Sequence, residues 1–380
     1  MTNHTHIYSG FDGLDMAYRV TLPGELHAAL RRAKAEASEA RRTVALEYKG
    51  QTFLVGDRGG IGGYAFSIDT GIMGANWWFK EPGTGDPWGA RVSSRSLPLA
   101  LKAIDAVKAE HDTFLLNLGM QFGEIDRRIS RIDYAIDFLI PGFEIDPRLF
   151  VSHSNRTKTI DAEFSADYRG DKINGIRIGK MPNSQIAIYD KRREITEKKK
   201  KYWWDIWQEG FSDKSHELNS KSEIWRFEFR AGKNFLERQF KRKTWDAFSH
   251  NPADLFFKIA CQTRLAERLN DTNRARWPNA PIWNEIQNQL SQISIAKDQI
   301  DISAEIIAQL RFEYAETICK QTVGLIISQA AFYGLTENDL TPLIEQIKLD
   351  LAENLAANAN SDHDILEQRR AGIAARFQTV

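Results

Sequence analysis

The sequence predicts an α+β fold: a mainly antiparallel sheet flanked by helices, followed by an all-helical C-terminal region. Three observations carry this. Several segments between residues 131 and 230 alternate apolar and polar side chains with a period of two. The part before them mixes strand-like and helix-like stretches, and after the last alternating segment the pattern is helical almost to the end.

In chain order, Leu22–Ala40 is rich in Ala, Glu, Arg and Leu and reads as a helix with Pro23 near its start. Val44–Tyr48 is a short strand. The glycines between Gly56 and Gly63 suit hairpin turns, because no Lys-Ser or Lys-Thr follows to make a phosphate cradle. Gly83–Trp88 is a loop and Leu97–His111 a helix. Arg131–Ile140, Gly175–Gly179, Gln185–Lys191 and Ile224–Arg230 alternate as strands. Asn234–Phe240 and Asp254–Asn270 read as helices, Arg276–Pro281 as a proline-punctuated connector, and Gln299–Tyr333, Leu340–Ala356 and Asp362–Phe377 as helices. Thr336 and Asp339 offer a cap for the second of these three.

At roughly 100–200 residues per domain, a chain of 380 residues suggests two domains, taken as 1–270 and 271–380. No apolar run nears the roughly 18 residues of a membrane span, which excludes a membrane protein. Met1–Gly10 lacks the order of a signal peptide, and Cys261 and Cys319 make no disulfide framework. A reducing cytoplasm is the expected location, and both cysteines are expected in the core.

The formal net charge is zero, 51 basic against 51 acidic side chains, which argues against a strongly basic coat protein. The zero hides an uneven distribution: residues 1–164 carry −2, 165–245 carry +8, and 246–380 carry −6. Lys198–Lys201 is best read as a solvated run. The excess continues through Arg226, Arg230, Lys233, Arg238 and Lys241–Lys243, and so points to a polyanionic partner.

The alternating strands share a separation of faces. Ile132, Tyr134, Ile136 and Phe138 point one way; Arg131, Asp133 and Asp137 point the other. Asp133 and Asp137 lie roughly 13 Å apart at about 3.3 Å per residue, too far to chelate one ion together. Paired into one sheet, the strands collect Asp133, Asp137, Arg177, Tyr189, Lys191, Arg226, Glu228 and Arg230 on the polar face. A face that is merely wet would also alternate, but would be filled with Lys, Thr, Ser and Glu rather than carboxylates, a tyrosine and arginines.

Carboxylates completed by substrate phosphate suit Mg²⁺ or Mn²⁺. Asp133 and Glu228 are the preferred ligands, with Asp137 or Glu194 as the alternative. Lys191 lies two positions from Tyr189 on the same expected face and would supply positive charge to a phenol that is otherwise a poor nucleophile. Attack by Tyr189 on a metal-polarised phosphodiester would leave a phosphotyrosyl bond and a free 3′ hydroxyl. Arg226 and Arg230 could clamp phosphates. His4 and His6 are assigned to a disordered tail. Trp203, Trp204 and Trp207 offer either a base-stacking platform or, preferably, core packing against the sheet.

The series Arg131-x-Asp133-x-x-x-Asp137, then Gly179, Lys180 and Ser184 ahead of Tyr189-Asp190-Lys191, then Arg226-x-Glu228-x-Arg230, resembles the replication initiation factor family, with Ser9–Asp15 like its first strand and turn. That family includes rolling-circle initiators of plasmids and filamentous phages and related conjugative relaxases. The resemblance spans roughly residues 7–260. It implies a curved sheet, divalent-metal dependence, a tyrosine nucleophile, and single-stranded or hairpin DNA as substrate. Tyr134, Tyr168 and Tyr202 lie in the same region; Tyr189 is favoured for its lysine neighbour.

The expected function is therefore rolling-circle DNA replication initiation by metal-dependent nicking and strand transfer. Arg131, Arg177, Lys180, Arg226, Arg230 and Lys233 are the expected DNA contacts, and a homo-oligomer and host replication proteins are candidate partners. A non-catalytic DNA-binding factor on the same fold is the alternative, and a phosphodiesterase using metal-activated water is a third reading.

Overall fold

The computed structural model describes residues 4–152, 164–169, 172–211, 218–240, 243–296, 302–336, 339–358 and 365–378. Lys241, the helix starts expected at Gln299 and Asp362, and the side chain of Tyr168 lie outside the described residues.

The chain is α+β. Eleven of the described strands form one antiparallel sheet: β1 (Thr5–Tyr18), β2 (Val44–Tyr48), β3 (Gln51–Val55), β4 (Phe66–Asp69), β5 (Ala75–Phe79), β6 (Ala90–Ser94), β7 (Arg127–Leu139), β9 (Phe164–Arg169), β10 (Lys172–Gly179), β11 (Ser184–Asp190) and β12 (Ile224–Gly232). Their spatial order is β2-β3-β4-β5-β6-β1-β7-β12-β11-β10-β9. Each half follows one plan. A long central strand leaves the middle, the chain crosses to an outer edge, and a meander of hairpins returns. The two central strands, β1 and β7, pair with each other along the seam. Two short strands, β8 (Phe150–Ser152) and β13 (Thr263–Leu265), form a separate ribbon.

Bulges decide which side chains share a face along the seam. In β1 the register steps from Phe11 to Gly13, leaving Asp12 as the extra residue, and in β7 it steps from Ile129 to Arg131, leaving Ser130. A bulge reverses the alternation locally. Phe11 and Leu14 thus both reach the core, as do Ile129 and Ile132, although each pair is three residues apart. By the same step Arg128 joins Arg131 and Asp133 on the polar face.

The apolar face is covered by α1 (Gly24–Ala40), α3 (Ile104–Asn117), α7 (Trp245–Ser249), α8 (Pro252–Gln262) and α9 (Pro281–Ser291). In α1, Leu26, Leu30, Ala33 and Ala37 recur every three or four residues and are buried. The polar face carries a smaller apolar cluster at one end of β1. There α2 (Ser96–Leu101), α4 (Lys191–Glu197), α5 (Trp203–Gly210) and α10 (Ser303–Phe332) contribute Leu97, Ile195, Trp203, Trp207 and Ile306. Helices α6 (Lys233–Phe240), α11 (Leu340–Asn358) and α12 (Ile365–Phe377) complete the helical set. No described helix is long and apolar enough to cross a membrane.

Several sequence expectations change. His6 lies within β1, and the rings of His4 and His6 both pack edge-on against Phe138. The helix expected over Asp254–Asn270 stops at Gln262, because Thr263–Leu265 pairs with β8. Leu97–His111 is two helices, broken at Lys102–Ala103. Cys261 and Cys319 are exposed, the latter on α10, most of whose residues are exposed. Trp283 of α9 is fully buried against Phe227 and Phe229 of β12.

Candidate active site

Arg226 is fully buried at the centre of the polar face. Its guanidinium donates Nε to Asp137 Oδ1 and Nη2 to Asp137 Oδ2, both at 2.7 Å, and Nη1 to Asp12 Oδ1 at 2.6 Å. Trp207 Nε1 donates to Asp137 Oδ2 at 2.8 Å, and the ring of Trp203 lies 4.3 Å from the guanidinium carbon. Both carboxylates of this unit are committed to the arginine, which is what makes its burial tolerable. Burial works against ionisation of Asp12, but Arg226, Lys191 and Lys200 outweigh it and hold its carboxyl below the usual range. Arg226 and Asp137, expected as a phosphate clamp and a metal ligand, are instead enclosed beneath α5.

Beside this unit lies a second, more open one. Glu228 receives Arg230 Nε at 2.6 Å and Arg230 Nη2 at 2.9 Å, and Tyr189 donates its hydroxyl hydrogen to Glu228 Oε2 at 3.2 Å. Asp133 receives Arg131 Nε at 3.0 Å, and Arg131 Nη2 lies 2.5 Å from its other oxygen and 3.9 Å from Glu228. Both carboxylates are nearly inaccessible, whereas the side chains of Arg131 and Arg230 are 36% and 21% exposed. The arginines lie over the carboxylates. Burial, opposed by Arg131 but aided by the nearby charge of Glu228, pushes Asp133 up to about 7. Burial and Glu228 likewise push the Tyr189 phenol well above its usual value of 10.

Two glycines make room here. A Cβ on Gly13 would lie 2.7 Å from Asp133 Oδ2, and one on Gly175 would lie 3.0 Å from the Cβ of Tyr189. Tyr189 borders a groove of about 350 Å³ that Arg177, Arg193, Glu194 and Arg230 also line.

Lys191 does not continue the strand. β11 ends at Asp190, whose side chain caps α4 by accepting from Arg193 N at 2.9 Å. The Lys191 ammonium is buried 5.8 Å from the Tyr189 ring centroid and 2.6 Å from Glu194. Burial and Arg226 lower its pKa. Glu194 is held at about 2, against the effect of burial, by Lys191 and its lysine neighbours, so its oxygens are committed. Arg177 pairs with Asp167 at 2.8 Å. Lys180 and Lys233 are exposed at the rim, where Pro182 O accepts from Asn234 N and Asn183 O from Gly232 N.

No group of three or more His, Cys, Asp or Glu that could hold a metal ion occurs among the described residues. Mg²⁺ often takes only one or two carboxylates and leaves the other positions to water and phosphate. Asp133 and Glu228 fit such a partial set in donor chemistry. Arg131 and Arg230 would have to turn toward solvent to free their oxygens.

Sequence reasoning missed Asp12, Gly13 and the Trp207–Asp137 bond. Asp12 was legible only as part of an FDG turn, and no periodicity reveals that a bulge turns it toward a strand two places away. Trp203 and Trp207 are core residues, packed on the sheet rather than offered to solvent.

No family model and no curated protein matches this chain. Among solved structures, the rolling circle replication initiator protein from Geobacillus stearothermophilus is similar with a TM-score of 0.40 at 13% identity, over 78% of this chain and all of that one.

Proposed function

We propose that this protein is a DNA nicking and joining enzyme that initiates rolling-circle replication, with Tyr189 as nucleophile. The observation that carries the reading is the Tyr189 hydroxyl directed at Glu228 Oε2, beside Asp133 and beneath two partly exposed arginines. In the step proposed, Tyr189 Oη bonds to phosphorus as the bond to the 3′ oxygen breaks. The phenol proton passes to Glu228, and the 3′ oxygen leaves as a hydroxyl after taking a proton from solvent. Reversal rejoins the strand. Mg²⁺ or Mn²⁺ held by Asp133 and Glu228 would supply positive charge that favours the phenolate and polarises the phosphodiester. Arg131 and Arg230, released from the carboxylates, would bind the flanking phosphates.

The experiment incubates the protein with single-stranded and hairpin origin DNA and Mn²⁺ and resolves the products under denaturing conditions. A covalent protein–DNA adduct lost in Tyr189→Phe supports the reading; an adduct equal in the variant removes Tyr189 from the role.

A second reading has its own support. Asp133 and Glu228 are each neutralised by an arginine, and the phenol is firmly protonated, which suits a DNA-binding factor without catalysis. Asp133→Ala and Glu228→Ala variants that bind DNA and support replication like wild type would favour it.

A further inference from the structure

The polar face continues past the candidate active site into the N-terminal half of the sheet, where its chemistry differs. Trp88 is half-buried, and two guanidiniums rest on it, Arg128 at 3.7 Å and Arg19 at 4.8 Å from the ring centroid. Neither arginine makes an ion pair among the described residues, whereas their neighbours do: Arg91 with Asp15 at 2.8 Å, Arg131 with Asp133, and Lys80 with Asp86. Trp78 stands opposite Arg91 in register, with the guanidinium 5.4 Å from its ring. The two guanidiniums repel each other across the indole and Arg128 is partly desolvated, against the attraction of Asp86 and Glu237. A ligand that brings negative charge and a flat ring relieves that repulsion.

We propose that Trp88, Arg19 and Arg128, together with Trp78 and Arg91, form a stacking platform for single-stranded DNA. The platform would hold the strand on one side of the bond that Tyr189 attacks, an assignment that rests on the nicking reading above. Bases stack on aromatic rings without regard to sequence, and guanidiniums take the phosphates between them. Duplex DNA, whose bases are stacked internally, cannot use the indoles. The connection to the site is direct. Arg128, Arg131 and Asp133 follow one another on the same face of β7, and Arg128 and Asp133, four ladder steps apart because Ser130 is extra, are separated by roughly 13 Å at about 3.3 Å per residue. The Ser130 bulge is what aligns them.

The test uses the full chain and a fluorescent 20-nucleotide oligothymidylate, read by anisotropy at several salt concentrations. Trp88→Ala should weaken binding about tenfold or more, and Trp88→Phe should restore most of it, because stacking is worth roughly 1–3 kcal/mol per base. Arg19→Gln with Arg128→Gln should reduce the slope of log affinity against log salt by about 0.7 for each phosphate no longer neutralised. Thermal unfolding of every variant reports folding. If Trp88→Ala perturbs the loop, the surface arginine pair decides alone. Wild-type affinity and slope in both sets, or a 20-base-pair duplex that competes as well as the single strand, overturns the platform. Tyr189→Phe should bind the oligonucleotide like wild type. If no adduct forms in any protein but Trp88→Ala still loses binding, nicking falls and the platform stands.

Discussion

Tyr189 and Glu228 lie on adjacent strands but are not register partners: Tyr189 faces Arg226, Glu228 faces Ala187, and their 3.2 Å hydrogen bond runs diagonally across the ladder. Diagonal contacts are within reach of long side chains, and the small side chain of Ala187 leaves space for this one. The phenol is thereby tied to the carboxylate nearest Asp133 rather than to the arginine directly opposite.

Glu228→Gln should therefore impair chemistry more than binding. The amide keeps the size but cannot take the phenol proton, so adduct formation should fall about 10²–10⁴-fold, while oligonucleotide affinity changes little. Quench-flow measurement of adduct appearance separates the two. An unchanged adduct rate would remove Glu228 as the proton acceptor.

Arg226 is predicted to matter for stability. Arg226→Met leaves Asp137 and Asp12 buried without their partner and should cost about 3–5 kcal/mol. Urea denaturation followed by circular dichroism measures it. If Arg226→Met unfolds at the wild-type midpoint and loses only DNA affinity, the phosphate-clamp role is the correct one after all.

Gly13→Ala places a methyl where the Asp133 carboxylate now lies. Asp133 is pinned by Arg131 and cannot retreat freely, so the variant should lose about 1–3 kcal/mol of stability. Adduct formation should fall by about tenfold or more, beyond what the unfolded fraction explains. Parallel thermal melts and adduct assays test this; wild-type behaviour in both would show that Asp133 has room to move.

His111 gives the fold an acid sensitivity. It is buried against the edge of Trp77 with Nε2 3.2 Å from Ser94 Oγ, and burial pushes it down to about 4. The folded state therefore holds the ring neutral between about pH 4 and pH 6.5, where the unfolded chain would protonate it. Its contribution is fully present above the unfolded value and is lost as pH falls through the folded one, at most about 3 kcal/mol. Urea midpoints between pH 7 and pH 4 should fall, and His111→Gln should flatten that slope. An equal slope in the variant would place the sensitivity elsewhere.

How legible the site was depended on whether a residue's partners were near in sequence. The alternation of Arg131–Ile140 and Ile224–Arg230 gave the strands and the shared face correctly, because the period of two is local. It could not say that Asp137 and Arg226 pair off with each other while Asp133 and Glu228 lie beneath the partly exposed Arg131 and Arg230. That division comes from α5, whose Trp207 and Trp203 lie far from β7 in sequence and roof one end of the face. Lys191 shows the opposite failure. Its spacing from Tyr189 fits a strand, but Asp190 caps a helix there, so the lysine approaches the ring from another element.

The bulges at Asp12 and Ser130 give residue number along the seam a meaning that resembles a reading frame. Each inserts a half-period, so that even positions on one side of it share a face with odd positions on the other. Substituting Ser130 would change one small side chain. Inserting a further residue beside it, with no second bulge to absorb it, would exchange inside for outside along the first residues of β7, turning Ile129 toward the polar groove and Arg128 toward the core, with the composition of the chain almost untouched.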